Sequence, residues 1–141
     1  MSPSLALATA VTFVWLGMVT AISFVEAPLK FRAPGVTLPI GLGIGRLVFR
    51  ALNIAELTLA VVLASAVLSA MPAARSIITA TVPVVILVVQ IVLVRPRLAR
   101  RSDRVLAGND APRSDAHYWY VGLEVVKVVA LLITGVFLLT I

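Results

Sequence analysis

Residues 46–68 read RLVFRALNIAELTLAVVLASAVL, and this stretch decides the fold. From Leu57 onward only Thr58 and Ser65 interrupt an apolar run, so the stretch reads as a membrane helix. Arg46, Arg50 and Asn53 stand at i, i+4 and i+7, with Glu56 three residues further on near the same stripe. A polar stripe therefore enters a membrane helix. Charged groups at that depth are costly, so a carboxylate there is expected to be paired or to take part in function.

Working outward, the rest of the chain has the same character. Of its 141 residues, 61% are hydrophobic and 13% charged, and the mean hydropathy is +1.11. Soluble domains are only about half apolar, and several runs here reach the ~20 residues that cross ~30 Å of hydrocarbon. No hydrophilic block is long enough for a separate soluble domain. The expectation is one integral membrane domain, all-α, folded as a four-helix transmembrane bundle. A net charge of +6 would suggest nucleic acid in a soluble protein. Here the basic residues flank hydrophobic segments, where they set orientation and meet anionic lipid headgroups, so membrane lipids are the expected partners and nucleic acid is not. The absence of cysteine removes disulfides, thiolate metal sites and cysteine nucleophiles.

The spans are expected at about residues 5–25, 43–70, 77–94 and 118–141. The first lacks a basic leader and exceeds the roughly 7–15 apolar residues of a signal peptide core, so it reads as a retained span. Trp15 falls near its middle and is expected to pack in the bundle. EAPLKFRAPGVTLPIGLGIG (26–45) reads as an apolar, Pro/Gly-rich first loop at the cytoplasmic interface, able to roof a cavity. Within it, Gly41 and Gly45 form a G-x-x-x-G expected to let another helix approach closely. Pro83 is expected to kink span three. RPRLARRSDRVLAGNDAPRSDAH (95–117) holds Arg95, Arg97, Arg100, Arg101, Arg104 and Arg113 and reads as a solvated cytoplasmic loop. Loops one and three share a side, so the excess of Lys and Arg there places both termini on the non-cytoplasmic side.

Span four carries a second stripe. His117, Tyr120, Glu124 and Lys127 occur at i, i+3, i+7 and i+10. Spans two and four run in the same direction; Glu56 lies about ten residues from its end and Lys127 about nine from its own, within one turn in depth. A Glu56–Lys127 ion pair is expected. The same comparison brings Glu124 near Arg50, Asn53 and Gln90, and sets Glu26, His117 and Arg46 around the cytoplasmic mouth. These ten residues form the expected ligand-binding or charge cluster; the alternative is a salt-bridge network that fixes helix register.

Other chemistries lack their residues. A carboxylate di-iron site needs two histidines with Glu-x-x-His spacing, and this chain has one histidine. Bis-histidine haem fails for the same reason, and no serine or threonine stands in a base and acid arrangement for hydrolysis. No metal is expected, and the residues specify no cofactor.

Trp15, the LPIGLGIGRLVF segment, Asn53, the RPRLARR segment after span three and HYWYVGLEVVKVV at the start of span four together resemble the small four-span proteins related to transmembrane protein 205. The anthrone-oxygenase-like membrane proteins share this layout, although span one here has no internal histidine or arginine. The resemblance implies the four-span fold and a membrane location rather than an activity; the location expected for this chain is the cell membrane, as a multi-pass bacterial inner-membrane protein.

Three functions are consistent with these residues. The first is binding of a lipid-like or quinone-like ligand between spans two and four, or service as an accessory subunit of a membrane complex. The second is a membrane enzyme acting on a hydrophobic substrate, with Glu56 or Glu124 carrying a proton. The third is a proton-coupled transporter in which Glu56 titrates; four spans without an internal repeat would need a homo-oligomer to form the pathway.

Overall fold

The sequence supplies start signals that fix two of the helices. Ser2 Oγ accepts a hydrogen bond from the Leu5 amide at 3.2 Å and Pro3 follows it, where a missing amide costs nothing. Thr37 does the same for the Ile40 amide at 3.4 Å, with Pro39 in the first turn. In a computed structural model describing residues 1–110, 112 and 115–141, the chain is all-helical. Four helices result: α1 Pro3–Lys30, α2 Leu38–Ala70, α3 Ala74–Leu106 and α4 Asp115–Leu139. Each is long and apolar enough to cross a membrane, as the composition requires.

The helices bury a narrow stripe and expose the rest. Trp15, Val19, Leu52, Leu63, Leu87, Leu131 and Leu138 are almost fully buried, whereas Leu47, Val61, Leu68, Ile78 and Val92 point outward at 60–70% exposure. Apolar surface this continuous on every helix suits lipid and not water. The buried threonine hydroxyls are satisfied within their own helices, as where Thr12 donates to the Ala8 carbonyl at 2.7 Å and Thr134 to the Ala130 carbonyl at 2.8 Å. α1 packs against α2 and α4, α3 against α4, and α2 against both the span and the basic extension of α3.

Two expected loops prove to be largely helix. α1 continues through Pro28 to Lys30, so the first connection is only 31–37, and α3 continues through Pro96 to Leu106. Proline lacks an amide hydrogen and its ring strikes the carbonyl four residues earlier, which normally breaks a helix. Here each proline follows a π-helical turn, Thr20–Glu26 before Pro28 and Gln90–Val94 before Pro96. In these turns the Ala27 amide donates to the Ile22 carbonyl and the Arg95 amide to the Gln90 carbonyl, five residues back. The wider turn relieves the ring clash and absorbs the missing donor. Pro83 lies within α3 without ending it. α3 beyond Val94 is strongly basic but not a solvated loop, because Val105 is buried and Leu98 packs on the Val94, Ala116 and Tyr120 cluster. Arg113, one of the basic residues expected there, lies outside the described residues.

α2 ends at Met71, which takes the left-handed conformation (φ 45°) and donates to the Val67 carbonyl before Pro72. This turn and the two connections on the other side give a direct check on four crossings. In this cysteine-free chain, Ala107→Cys and Arg32→Cys should react with a membrane-impermeant maleimide from one side, and Ala73→Cys from the other. Labelling of Ala73→Cys and Ala107→Cys from the same side would overturn the four-span path.

Candidate functional site

At mid-height the bundle encloses charge. Lys127 on α4 points inward, and its Nζ lies 2.7 Å from Glu56 Oε1 on α2 and 2.7 Å from Glu124 Oε1 one turn earlier on α4. All three side chains are 0–1% exposed. The ion pair expected from helix depth is present. Trp15 on α1 donates its indole N–H to the same Glu56 oxygen at 2.8 Å, and Ser23 on α1 donates to Glu124 Oε2 at 2.9 Å. Gln90 on α3 lies with its amide nitrogen 3.5 Å from both Glu124 Oε1 and the Tyr120 carbonyl. All four helices thus contribute to one polar cluster.

The local folding explains two of these contacts. Ser23 lies within the first π-turn and Gln90 opens the second. The prolines that demand those wide turns therefore also turn a polar side chain toward Glu124. Trp15 and Ser23 escaped sequence reading as site residues. Trp15 was expected only to pack, and its depth beside Glu56 was the available signal; Ser23 had none, since the π-turn changes which face it occupies.

Other expected members lie elsewhere. Arg50 is exposed and turned away from the cluster, because the buried line on α2 runs Gly41, Gly45, Leu52, Glu56, Ala60. Asn53 is only partly buried beside that line. Arg46 pairs with Asp103 on α3 at the exposed end of the bundle, tying α2 to the basic extension. Glu26 faces Lys30 at 3.7 Å, and His117 stacks edge-on with Tyr118 at 5.7 Å. Tyr120 is buried, with its ring set edge-on to Phe49 at 5.8 Å.

Between the helix ends, on the side of the first and third connections, lies a cavity of about 660 Å³. Ser23, Tyr120 and Glu124 form its polar floor, and Phe24, Phe49 and Ile91 stand among its walls. Lys30, Arg46, Arg95 and Arg101 ring it with positive charge. The glycines expected to receive another helix instead receive side chains from the end of α1. A methyl group at Gly41 would overlap the Phe31 ring, and one at Gly45 would press on the Lys30 ammonium. On the far side of the triad, Leu5, Ala8, Leu63, Val67, Leu87 and Leu138 close the bundle with apolar contacts. The charged cluster therefore communicates with one end only.

The electrostatics are unbalanced. Two carboxylates meet one ammonium, so the triad as ionised carries one surplus negative charge in a site with almost no access to water. Among the described residues, the buried Glu56 Oε2 and Gln90 Oε1 have no hydrogen-bond partner. Buried polar atoms are rarely left so. Among the described residues no group of three or more His, Asp or Glu is placed to hold a metal ion.

Charge balance ranks the variants. Lys127→Met leaves two buried carboxylates without their cation and should cost about 3–5 kcal/mol. Trp15→Phe removes one donor to a charged acceptor and should cost about 1.5–3 kcal/mol. Glu124→Gln leaves one ammonium on one carboxylate and should be the mildest, at about 1 kcal/mol. Denaturation of the three proteins in one detergent measures the order, and a Glu124→Gln protein less stable than Lys127→Met would contradict it. Comparison of the chain with protein-family models, with curated proteins and with solved structures finds no match.

Proposed function

We propose that this chain is a multi-pass membrane protein that binds an amphipathic, lipid-like or quinone-like ligand in the cavity above Glu124. The observation that carries this reading is the cavity itself, which combines aromatic and aliphatic walls, a buried carboxylate floor and a cationic rim in one space. A volume of about 660 Å³ falls in the range of small-molecule sites, about 300–1,000 Å³. The ligand's apolar part lies against Phe24, Phe49 and Ile91, and its polar end meets the hydrogen-bonding groups at floor or rim. Tyr120, whose hydroxyl can donate or accept, lines the same cavity beside Glu124. The triad behind the floor holds Glu124 in place and joins α2 to α4.

The alternative of a through-membrane pathway gains no support, since apolar side chains fill the bundle beyond Glu56. We place the first and third connections, with the cavity mouth, in the cytoplasm of a bacterial cell, because Lys30, Arg32 and the arginines of 95–104 gather there against Arg75 at the opposite end. Docking as an accessory subunit, or against a second copy, would use the outward apolar helix faces.

Native mass spectrometry of the gently solubilised protein tests ligand binding and reads the oligomeric state together. The wild-type protein should retain an amphiphile of discrete mass through detergent exchange. Ala99→Trp/Val121→Trp, which places two indoles in the cavity, should lose it while keeping the same helical circular dichroism. Identical adducts on both proteins, or none on either, would overturn the reading. For orientation, Ala107→Cys should label only after the cytoplasmic side of inverted vesicles is exposed, and labelling in intact spheroplasts would reverse the assignment.

A further inference from the structure

The cavity rim contains an arrangement that the triad does not explain. Phe49, one turn before Asn53 on α2, has two cations from different helices within reach of its ring. Lys30 Nζ from the end of α1 is 5.6 Å from its ring centroid, and the Arg95 guanidinium from α3 is 5.5 Å away. Both cations line the same cavity. Each gains from the ring face, and the ring holds the two near one another despite like charge. Gly45 lies under this lysine, and a methyl group there would displace the Lys30 ammonium.

These cations are poorly neutralised. Lys30 has only Glu26 at 3.7 Å, a carboxylate that is 35% exposed, although Lys30 itself is 10% exposed. Among the described residues, no carboxylate lies within 4.0 Å of Arg95. The carboxylate that shares the cavity, Glu124, is already engaged by Lys127 and Ser23. Like charges gathered on a partly dry, apolar wall repel unless an anion lies between them. Arg supplies a planar fork for phosphate or carboxylate, and Lys a mobile point charge.

Resting on the reading of this cavity as a ligand site, we infer that Lys30 and Arg95, clasped on Phe49, form an anion-binding subsite for the phosphate or carboxylate headgroup of the ligand. The headgroup sits at the mouth beside Phe49, and the apolar part lies inward against Phe24 and Ile91. This orientation keeps the ligand's charge away from Glu124 and near the interfacial water. The same chemistry is offered by an anionic lipid and by a small soluble anion, and the two differ in whether the apolar walls are used.

Binding of phosphatidylglycerol and of phosphatidylcholine to the full chain in a neutral detergent, measured by native mass spectrometry with and without inorganic phosphate, tests this. Phosphatidylglycerol should bind saturably and about tenfold or more tighter than phosphatidylcholine. Arg95→Gln and Lys30→Gln should each lower that affinity about tenfold, whereas Arg100→Gln, which removes the same charge from an exposed site outside the cavity, should change it less than about twofold. Competition by millimolar phosphate would assign the subsite to a free anion, and absence of competition to a lipid headgroup; either supports the subsite. Equal losses in Arg95→Gln and Arg100→Gln would mean diffuse surface attraction and overturn it. Equal affinity for the two lipids, blocked in Ala99→Trp/Val121→Trp, would refute the anion subsite while leaving the cavity as a ligand site. No lipid binding of either kind would remove both.

Discussion

The bundle depends on one ammonium group placed where water does not reach. Lys127 Nζ bridges Glu56 and Glu124 at 2.7 Å each, and these contacts join α4 to α2. Desolvating three ionised groups is expensive, and only close pairing with further hydrogen bonds offsets it. The neighbouring groups follow from that need. Trp15 brings its N–H to Glu56, and Ser23 and Gln90 bring polar groups to Glu124, so each helix is held at one depth and one rotation. Apolar packing, which tolerates sliding in lipid, would not fix them so tightly.

The same constraint shapes the open end. Ser23 and Gln90, which meet Glu124, both lie in a π-turn just before a proline. Beyond those prolines α1 and α3 continue past the core, and with the first turns of α2 they enclose the cavity. The two π-turns thus contribute one polar side chain each to the cluster and precede the helix ends that line the cavity. One end of the bundle is an apolar plug, and the other is an aromatic chamber with a cationic rim.

Charge is segregated along the axis in a way that suits an amphiphile. The carboxyl groups of Glu56 and Glu124 lie at the inner end, and the cations Lys30 and Arg95 lie at the mouth. Between them stand Phe24, Phe49 and Ile91, which offer no hydrogen bonds. A molecule with a charged end and an apolar body meets matching surroundings along its length, whereas a fully polar one would leave the aromatic walls uncovered.

Four apolar helices were legible in the sequence because a run of about 20 hydrophobic residues has few other stable states. The depth match of Glu56 and Lys127 was legible too, since rise per residue is constant and both helices run the same way. Rotation was not. Arg50 shares the i, i+4 spacing of Arg46 yet faces outward, because the buried line is set by which neighbours pack on α2 and not by where its polar residues fall. Helix ends were not legible either: 26–45 and 95–117 read as loops, whereas the π-turns before Pro28 and Pro96 seat each ring within a continuing helix. Ser23 and Trp15 joined the site only through contacts 101 and 41 residues away in the chain. The sequence by itself determined that the chain spans the membrane and that a carboxylate and an ammonium lie at one depth. Which side chains surround them, and the cavity above, were decided by tertiary packing, because rotation of each helix about its axis depends on every neighbour at once.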